Sequence, residues 1–290
     1  MALLDSSATV AIPQEQYLSL EQGRALPAMR PKALKLVRNY VFNRMHKVKG
    51  YLGPVDAFAI AAILEAQQEN GLTGSMVEIG TFYGRLFFLM QLAANGHGKF
   101  FAADTFDIGP HRNYAGQYDQ FVIYGKQLGL CIESRHVFVG DSKDLSADHI
   151  RARVGTCRFF HIDGGHEWKH VVNDAQLALD TMADYGVIAF DDFYNPEWPD
   201  VTVAVMDLLA SRPDLKPFAI TNRKLYVAKA DYVDAYRNWV CSSVFTTGIP
   251  RHDVNLFKTA TPFLKEPFER KVGFFLMSKF LRGFGNGLLY

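Results

Sequence analysis

The chain has little of several things, and each shortage excludes a class of protein. Its 290 residues include only three cysteines, Cys131, Cys157 and Cys241, scattered and without a CxxC pair. That excludes a disulfide framework and a cysteine-ligated zinc site, and it fits a reducing compartment. Charge of one sign is missing too: 31 basic against 30 acidic residues leave a net charge of +1. No basic field therefore marks nucleic acid as a partner. No apolar run reaches the roughly 18 residues of a membrane span. The first residues lack the basic-then-apolar order of a secretory signal. There is no internal repeat and no low-complexity tract. Together these absences lead us to expect a cytoplasmic protein. What is present suffices for a sizeable core, since 49% of residues are hydrophobic and 21% charged. The length suits one large domain, or one domain with appendages.

Hydrophobic spacing divides the chain into three parts. Residues 1–71 read as an arm followed by helices. A helix is expected from Lys32 to Lys47, and another opens at Pro54 and stops at Asn70-Gly71. Residues 72–230 alternate strand and helix. Strands are expected at Met76–Ile79, Phe100–Ala103, Val137–Val139, Arg158–Ile162 and Val187–Phe190. Helices are expected near Gly84–Ala94, Tyr118–Leu128, Trp168–Met182 and Val201–Ser211. Such alternation predicts an α/β, Rossmann-like, seven-stranded and mostly parallel sheet with helices on both faces. Phe218–Ile220 and Leu225–Ala228, joined by Thr221-Asn222-Arg223-Lys224, read as a terminal antiparallel hairpin. Residues 231–290 read as an irregular, aromatic extension: a lid, a dimer contact or a wall of the acceptor site.

Two of these strands end in acid. Phe159-Phe160-His161-Ile162 runs into Asp163-Gly164-Gly165-His166, and Val187–Phe190 runs into Asp191-Asp192. As parallel neighbours they would bring Asp163, Asp191 and Asp192 to one sheet edge, with His166 beside them. Oxygen ligands select Mg²⁺, with Mn²⁺ or Ca²⁺ as alternatives, over softer metals. A divalent cation lowers the pKa of a bound hydroxyl. An imidazole three residues from Asp163 is then suited to take the proton, which makes His166 the candidate base. The competing reading is that Asp191-Asp192 merely caps a turn. His161 shares the face of Asp163 and reads as a core histidine or as a partner behind the acids.

The first strand runs into Glu78-Ile79-Gly80-Thr81-Phe82-Tyr83-Gly84, a glycine loop that opens a helix. It departs from the dinucleotide fingerprint, which has glycine where this chain has Glu78 and Tyr83. An acid at the head disfavours a pyrophosphate, and with it a nicotinamide-linked dehydrogenase. It suits a cationic ligand such as the sulfonium and amino groups of S-adenosyl-L-methionine. Asp104, ending the second strand, is placed to accept ribose hydroxyls. Asp141-Ser142, ending the third, is placed for an adenine.

On these motifs the chain resembles the class I S-adenosylmethionine-dependent methyltransferases over roughly residues 72–230. The resemblance implies that Glu78, Gly80, Thr81, Tyr83 and Gly84 hold the methionine part of the cofactor, with ribose at Asp104 and adenine near Asp141 and Ser142. Asp163, His166, Asp191 and Asp192 further resemble the metal-dependent O-methyltransferases. The macrocin type, with histidine rather than lysine three residues after the first acid, fits best. This implies a metal at Asp163, Asp191 and Asp192 and methyl transfer to a hydroxyl of a small acceptor, a sugar of a natural product or saccharide among the candidates. Asp191 stands where that subgroup can carry the longer Glu. Two other functions remain open at this point. One is a non-haem iron oxygenase using His161, Asp163 and His166, and the other is a catalytically silent scaffold of the same fold.

Phe193, Tyr194, Trp198 and Trp168 are candidates for an acceptor wall or for ordinary packing. His111, Arg112 and Tyr114 sit on a loop suited to cover the cofactor. The tail interleaves Lys271, Lys279 and Arg282 with Phe274, Phe275, Phe280 and Leu281. A helix packed on the domain or on a second subunit is the favoured reading there, with a peripheral membrane contact as the alternative.

Overall fold

A computed structural model describes residues 31–107 and 116–266. The 1–30 arm, the loop bearing His111, Arg112 and Tyr114, and the basic aromatic tail lie outside the described residues. The elements run α1 (Pro31–Asn39), α2 (Pro54–Glu69), β1 (Ser75–Ile79), α3 (Arg85–Ala94), β2 (Phe100–Asp104), α4 (Gln117–Gln127), β3 (Val137–Val139), α5 (Ala147–Val154), β4 (Cys157–Ile162), α6 (Trp168–Thr181), β5 (Met182–Phe190), α7 (Pro199–Ser211), β6 (Leu215–Ile220), β7 (Leu225–Lys229), α8 (Val233–Ser242), β8 (Arg251–Leu256) and β9 (Thr259–Leu264). Among the described residues no helix is long and apolar enough to cross a membrane.

The strands form one sheet in the order β3-β2-β1-β4-β5-β7-β6-β9-β8. β1 to β5 are parallel, and β7 runs back against β5. The strands alternate their side chains between two cores. Met76, Phe159, Val187, Ala189 and Tyr226 face a layer containing α2, α3 and α8. Val77, Phe160, Ile188 and Val227 face α5, α6 and α7. Parallel strands buried on both faces are largely apolar, which is why Phe159-Phe160 of β4 and Val187–Phe190 of β5 are legible as apolar runs.

The sheet has nine strands, two more than the seven expected. β8 and β9 pair antiparallel, and β9 joins β6 through Ile220 and Phe263. Their turn is built by Phe257 (φ 51°) and Lys258 (φ 60°), both left-handed. Left-handed pairs suit tight hairpins, but glycine or asparagine normally signals them. β8 is also largely exposed and polar. Pro217 interrupts β6, and the register slips between Pro217 and Ala219, as a residue without an N–H requires. The expected helix at Lys32–Lys47 is α-helical only to Asn39, then widens into a π turn (Tyr40–Arg44) and tightens into a 3₁₀ turn (Met45–Lys47). Two helices not anticipated, α5 and α8, are short.

α2 crosses one face of the sheet and is tied there by polar contacts. Gln67 donates to the Arg158 carbonyl (2.8 Å) and to Tyr236 Oη (2.9 Å), linking α2 to β4 and α8. Glu65 lies on the same helix. Burial, with some help from Glu69, pushes its carboxyl up to about 7. The folded protein therefore holds a proton that the unfolded chain releases at lower pH, and stability falls as pH rises from about 4.5 toward 7. Glu65→Gln should raise the melting temperature at pH 8 relative to the unaltered protein, with the gain shrinking toward pH 5, as read by calorimetry at both pH values.

Candidate active site

The acids sit at the carboxyl edge because the sheet ladder continues one residue past the strands. The Asp163 N–H donates to the Ile79 carbonyl and the Asp191 N–H to that of Ile162, both at 2.9 Å. Asp163 and Asp191 are thus fixed to the rigid sheet rather than to loops. Side-chain alternation, followed by a left-handed Asp192 (φ 54°), sends the adjacent carboxylates of Asp191 and Asp192 to different partners.

Asp192 closes the open side of the site. Its Oδ2 lies 3.1 Å from His166 Nε2, and its Oδ1 accepts from Asn195 Nδ2 (2.7 Å) and Arg223 Nη1 (3.4 Å). His166 Nε2 is also 3.9 Å from Asp163 Oδ1. The His166 ring stacks on Trp198, with centroids 4.4 Å apart and planes 17° from parallel. The side chains of Asp163 and His166 are about a third exposed. Loss of hydration, then repulsion from Asp191 and Asp192, pushes the Asp163 carboxyl well above its usual range. A bound cation would relieve that repulsion, so the donor set suits a hard divalent ion.

Asp191 turns inward. It hydrogen-bonds Lys224 Nζ, which is itself 3.0 Å from His161 Nε2. Burial alone would raise the Asp191 pKa, but Lys224 outweighs it and holds the carboxyl below the usual range. An ammonium has no lone pair, so Lys224 donates and His161 Nε2 accepts. The imidazole hydrogen therefore lies on Nδ1, which is 3.4 Å from Glu78 Oε1 but makes no hydrogen bond among the described residues. Burial first, and then Lys224, keeps His161 neutral by lowering its pKa well below the ordinary value. The row crosses four strands on one face: Glu78 pairs in register with His161, and Asp191 and Lys224 follow one step beyond on β5 and β7. Thr221, which donates to Asp56 of α2, accepts from the Lys224 backbone N–H and pins this turn.

Lys224 and Arg223 were not singled out as site residues from the sequence. Charged residues in a hairpin turn look like a solvated surface, yet this turn delivers one cation to each of two adjacent acids. His161 and His166 fall in different clusters that share only Asp163. That separation, with His161 Nε2 taken by Lys224, argues against an iron site made from His161, Asp163 and His166. Phe193 is buried, while Tyr194, Trp198 and Trp168 are exposed.

The residues assigned to the cofactor end β1, β2 and β3, three neighbouring strands. Gly80 (φ +83°) is held against the acid edge: a Cβ there would sit 1.7 Å from the Asp163 carbonyl oxygen. A Cβ on Gly84 would meet the Phe121 ring at 2.5 Å. Both glycines therefore serve close packing of the chain on itself. Glu78 is buried and faces His161, while its Oε2 has no partner among the described residues. Thr81 and Tyr83 are also buried, Tyr83 with its ring edge-on to Tyr124. Asp104 accepts the N–H groups of Phe82 and Phe106, both at 2.6 Å, and both donors are left-handed (φ 53°). One carboxylate thus stabilises two strained turns, and each oxygen keeps a lone pair for a ligand hydroxyl. Asp141 is partly exposed and ion-paired with Lys143 (3.0 Å). Ser142 hydrogen-bonds Asp174, whose carboxyl burial pushes up to about 6. A nucleoside-bearing ligand fits this edge.

Two substitutions probe the edge. Gly80→Ala should cost more than about 2 kcal/mol, because the new methyl group meets backbone at a positive φ. Asp104→Asn replaces one acceptor with a donor facing an N–H, and should cost about 1–3 kcal/mol while weakening cofactor binding. Urea unfolding and calorimetric titration measure these effects.

Over residues 77–193 the chain matches a family model described as a methyltransferase domain. No curated protein matches it. Among solved structures it is similar to the O-methyltransferase NovP, with 18% identity over 60% of this chain and 79% of the other and a TM-score of 0.49. It is also similar to CalS11, a TDP-rhamnose 3'-O-methyltransferase of calicheamicin biosynthesis, at 14% identity over 78% and 99%, TM-score 0.48. An O-methyltransferase from Bacillus cereus in complex with SAH gives 14% over 77% and 94%, TM-score 0.46. The family match spans the stretch from the glycine loop to the second acidic strand end, in a sheet whose hairpin runs back against β5, and over that stretch the chain is similar to methyltransferase domains.

Proposed function

We propose that the protein is a divalent-metal-dependent O-methyltransferase acting on a hydroxyl of a small acceptor. The observation that carries the reading is the contact of Gly80 with the Asp163 backbone, which packs the cofactor loop directly on the carboxylate cluster. S-adenosylmethionine, when bound, supplies an electrophilic methyl group, and Mg²⁺, or Mn²⁺ or Ca²⁺ in its place, acidifies a hydroxyl. The carboxylates of Asp163, Asp191 and Asp192 form the acidic cluster for the ion. His166 Nε2, freed from Asp192, takes the hydroxyl proton, and Trp198 holds its ring plane. Glu78, Gly80, Thr81, Tyr83 and Gly84 shape the methionine end of the cofactor site. Asp104 takes the ribose, and Asp141 with Ser142 the adenine. The exposed ring of Trp198, stacked on His166, favours a saccharide or another flat acceptor face. A non-catalytic scaffold of this fold would have no use for an exposed histidine held between two carboxylates.

His166→Ala should lower kcat by about 10²- to 10⁴-fold while leaving cofactor affinity within about twofold. Single-turnover methyl transfer to a panel of hydroxylated acceptors, paired with calorimetry, reads both. Full activity in that variant would remove His166 from the base role. Turnover unaffected by chelator would remove the metal.

A further inference from the structure

Among the described residues, two sets of side chains bring donor atoms within 4.8 Å of one another: His161, Asp163 and Asp191, and Asp163, His166 and Asp192. We propose that the first set already holds its cation, the ammonium of Lys224, and that a divalent ion enters only beside the second, on the carboxylates of Asp163 and Asp192, with His166 left as the base. Asp191 then anchors Lys224 and is not a ligand of the ion. This rests on the metal-dependent reading above and divides the roles of its three carboxylates.

Occupancy of the donor atoms is the first ground. An ion in the first set would use Asp191 Oδ2 and a nitrogen of His161. Lys224 Nζ hydrogen-bonds that oxygen and lies 3.0 Å from His161 Nε2. The other Asp191 oxygen accepts the Asp192 N–H at 2.9 Å, and the other His161 nitrogen faces Glu78. Both Asp191 oxygens and His161 Nε2 thus already have polar partners.

Burial is the second. The Lys224 side chain is 2% exposed, and its carboxylate neighbours keep it charged against the cost of burial. Turning it out of the cluster would leave a buried charge without its partner, which costs far more than a weak ligand returns. Its backbone is also held: its N–H donates to Thr221 Oγ1 at 3.1 Å, and its carbonyl accepts the Thr221 N–H at 2.9 Å. The second set differs on each count, because Asp163 and His166 are open to solvent.

Charge balance is the third. Lys224 neutralises Asp191, which leaves Asp163 and Asp192, two negative charges, for one divalent ion. A second divalent ion sharing Asp163 would be repelled both by the first and by Lys224. Arg223 is exposed, and solvent screens its contribution. Lys224 is thus a positioning residue, fixing the Asp191 carboxylate and the His161 tautomer behind the ion.

Titration of the full-length protein with Mn²⁺, followed by electron paramagnetic resonance without cofactor or acceptor, tests this. The unaltered protein should bind one ion. Asp163→Asn and Asp192→Asn should each weaken binding at least about 30-fold, and Asp191→Asn should change it less than about threefold. Lys224→Met removes a like charge and should tighten binding at least about tenfold. If the single variants fold poorly, the double variant D191N/K224M removes both members of the pair. It should melt above either single variant and still bind one Mn²⁺. Loss of binding in D191N or in the double variant as large as in D163N would overturn the assignment, as would weaker binding in K224M. No Mn²⁺ bound by the unaltered protein would instead overturn the metal-dependent reading itself.

Discussion

The site depends on one buried ammonium. Lys224 lies where β5 and β7 meet, hydrogen-bonded to Asp191 and 3.0 Å from His161 Nε2. Without it, Glu78, Asp163 and Asp191 would face one another across three strands with little to offset their repulsion. Burial already raises the pKa values of Glu78 and Asp163 well above the usual range. Asp191 escapes because Lys224, with His161 behind it, outweighs the burial. A buried charge pair of this kind adds little net stability against an apolar alternative, because desolvation offsets most of the attraction. What it does provide is direction: it sets which carboxylate points inward and which nitrogen of His161 carries hydrogen.

Around that pair the edge is assembled by close approach of backbone. Gly80 lies against the Asp163 carbonyl, and the Asp163 N–H bonds Ile79. The loop assigned to the cofactor and the acids assigned to the metal are therefore one rigid piece. Asp104 extends the same logic to the neighbouring strand, where its carboxylate holds Phe82 and Phe106 in left-handed turns. Rigid support of this sort is what a methyl transfer needs, since the acceptor oxygen must approach along one line.

Much of the fold was legible along the chain. Buried parallel strands are short apolar runs, and β1, β2, β4 and β5 each end in a marker: the glycine loop at Gly80, then Asp104, Asp163 and Asp191. The reversed hairpin was legible because Thr221–Lys224 separates two apolar runs. β8 and β9 were not. They lie at the sheet margin with one face in water, Pro262 falls within them, and their turn uses Phe257 and Lys258 where a hairpin signal would be glycine. That Asp163, Asp191 and Asp192 gather at one edge beside His166 followed from strand ends and spacing alone, with no hint that Asp191 would turn away from the other two. The inner cluster did not, because its defining member, Lys224, comes from a different strand and looks in sequence like any turn lysine.

By itself the sequence determined the strand-helix alternation, the acids at the strand ends and the histidine three residues after Asp163. Periodicity and local turn chemistry act over a few residues, so they are written where they act. The tertiary structure alone decided which carboxylates face each other, which one is taken by Lys224, and which way His161 is protonated. Those outcomes depend on desolvation and on charges brought together from β1, β4, β5, β7 and α2. Burial and long-range electrostatics of this kind exist only once the sheet has closed.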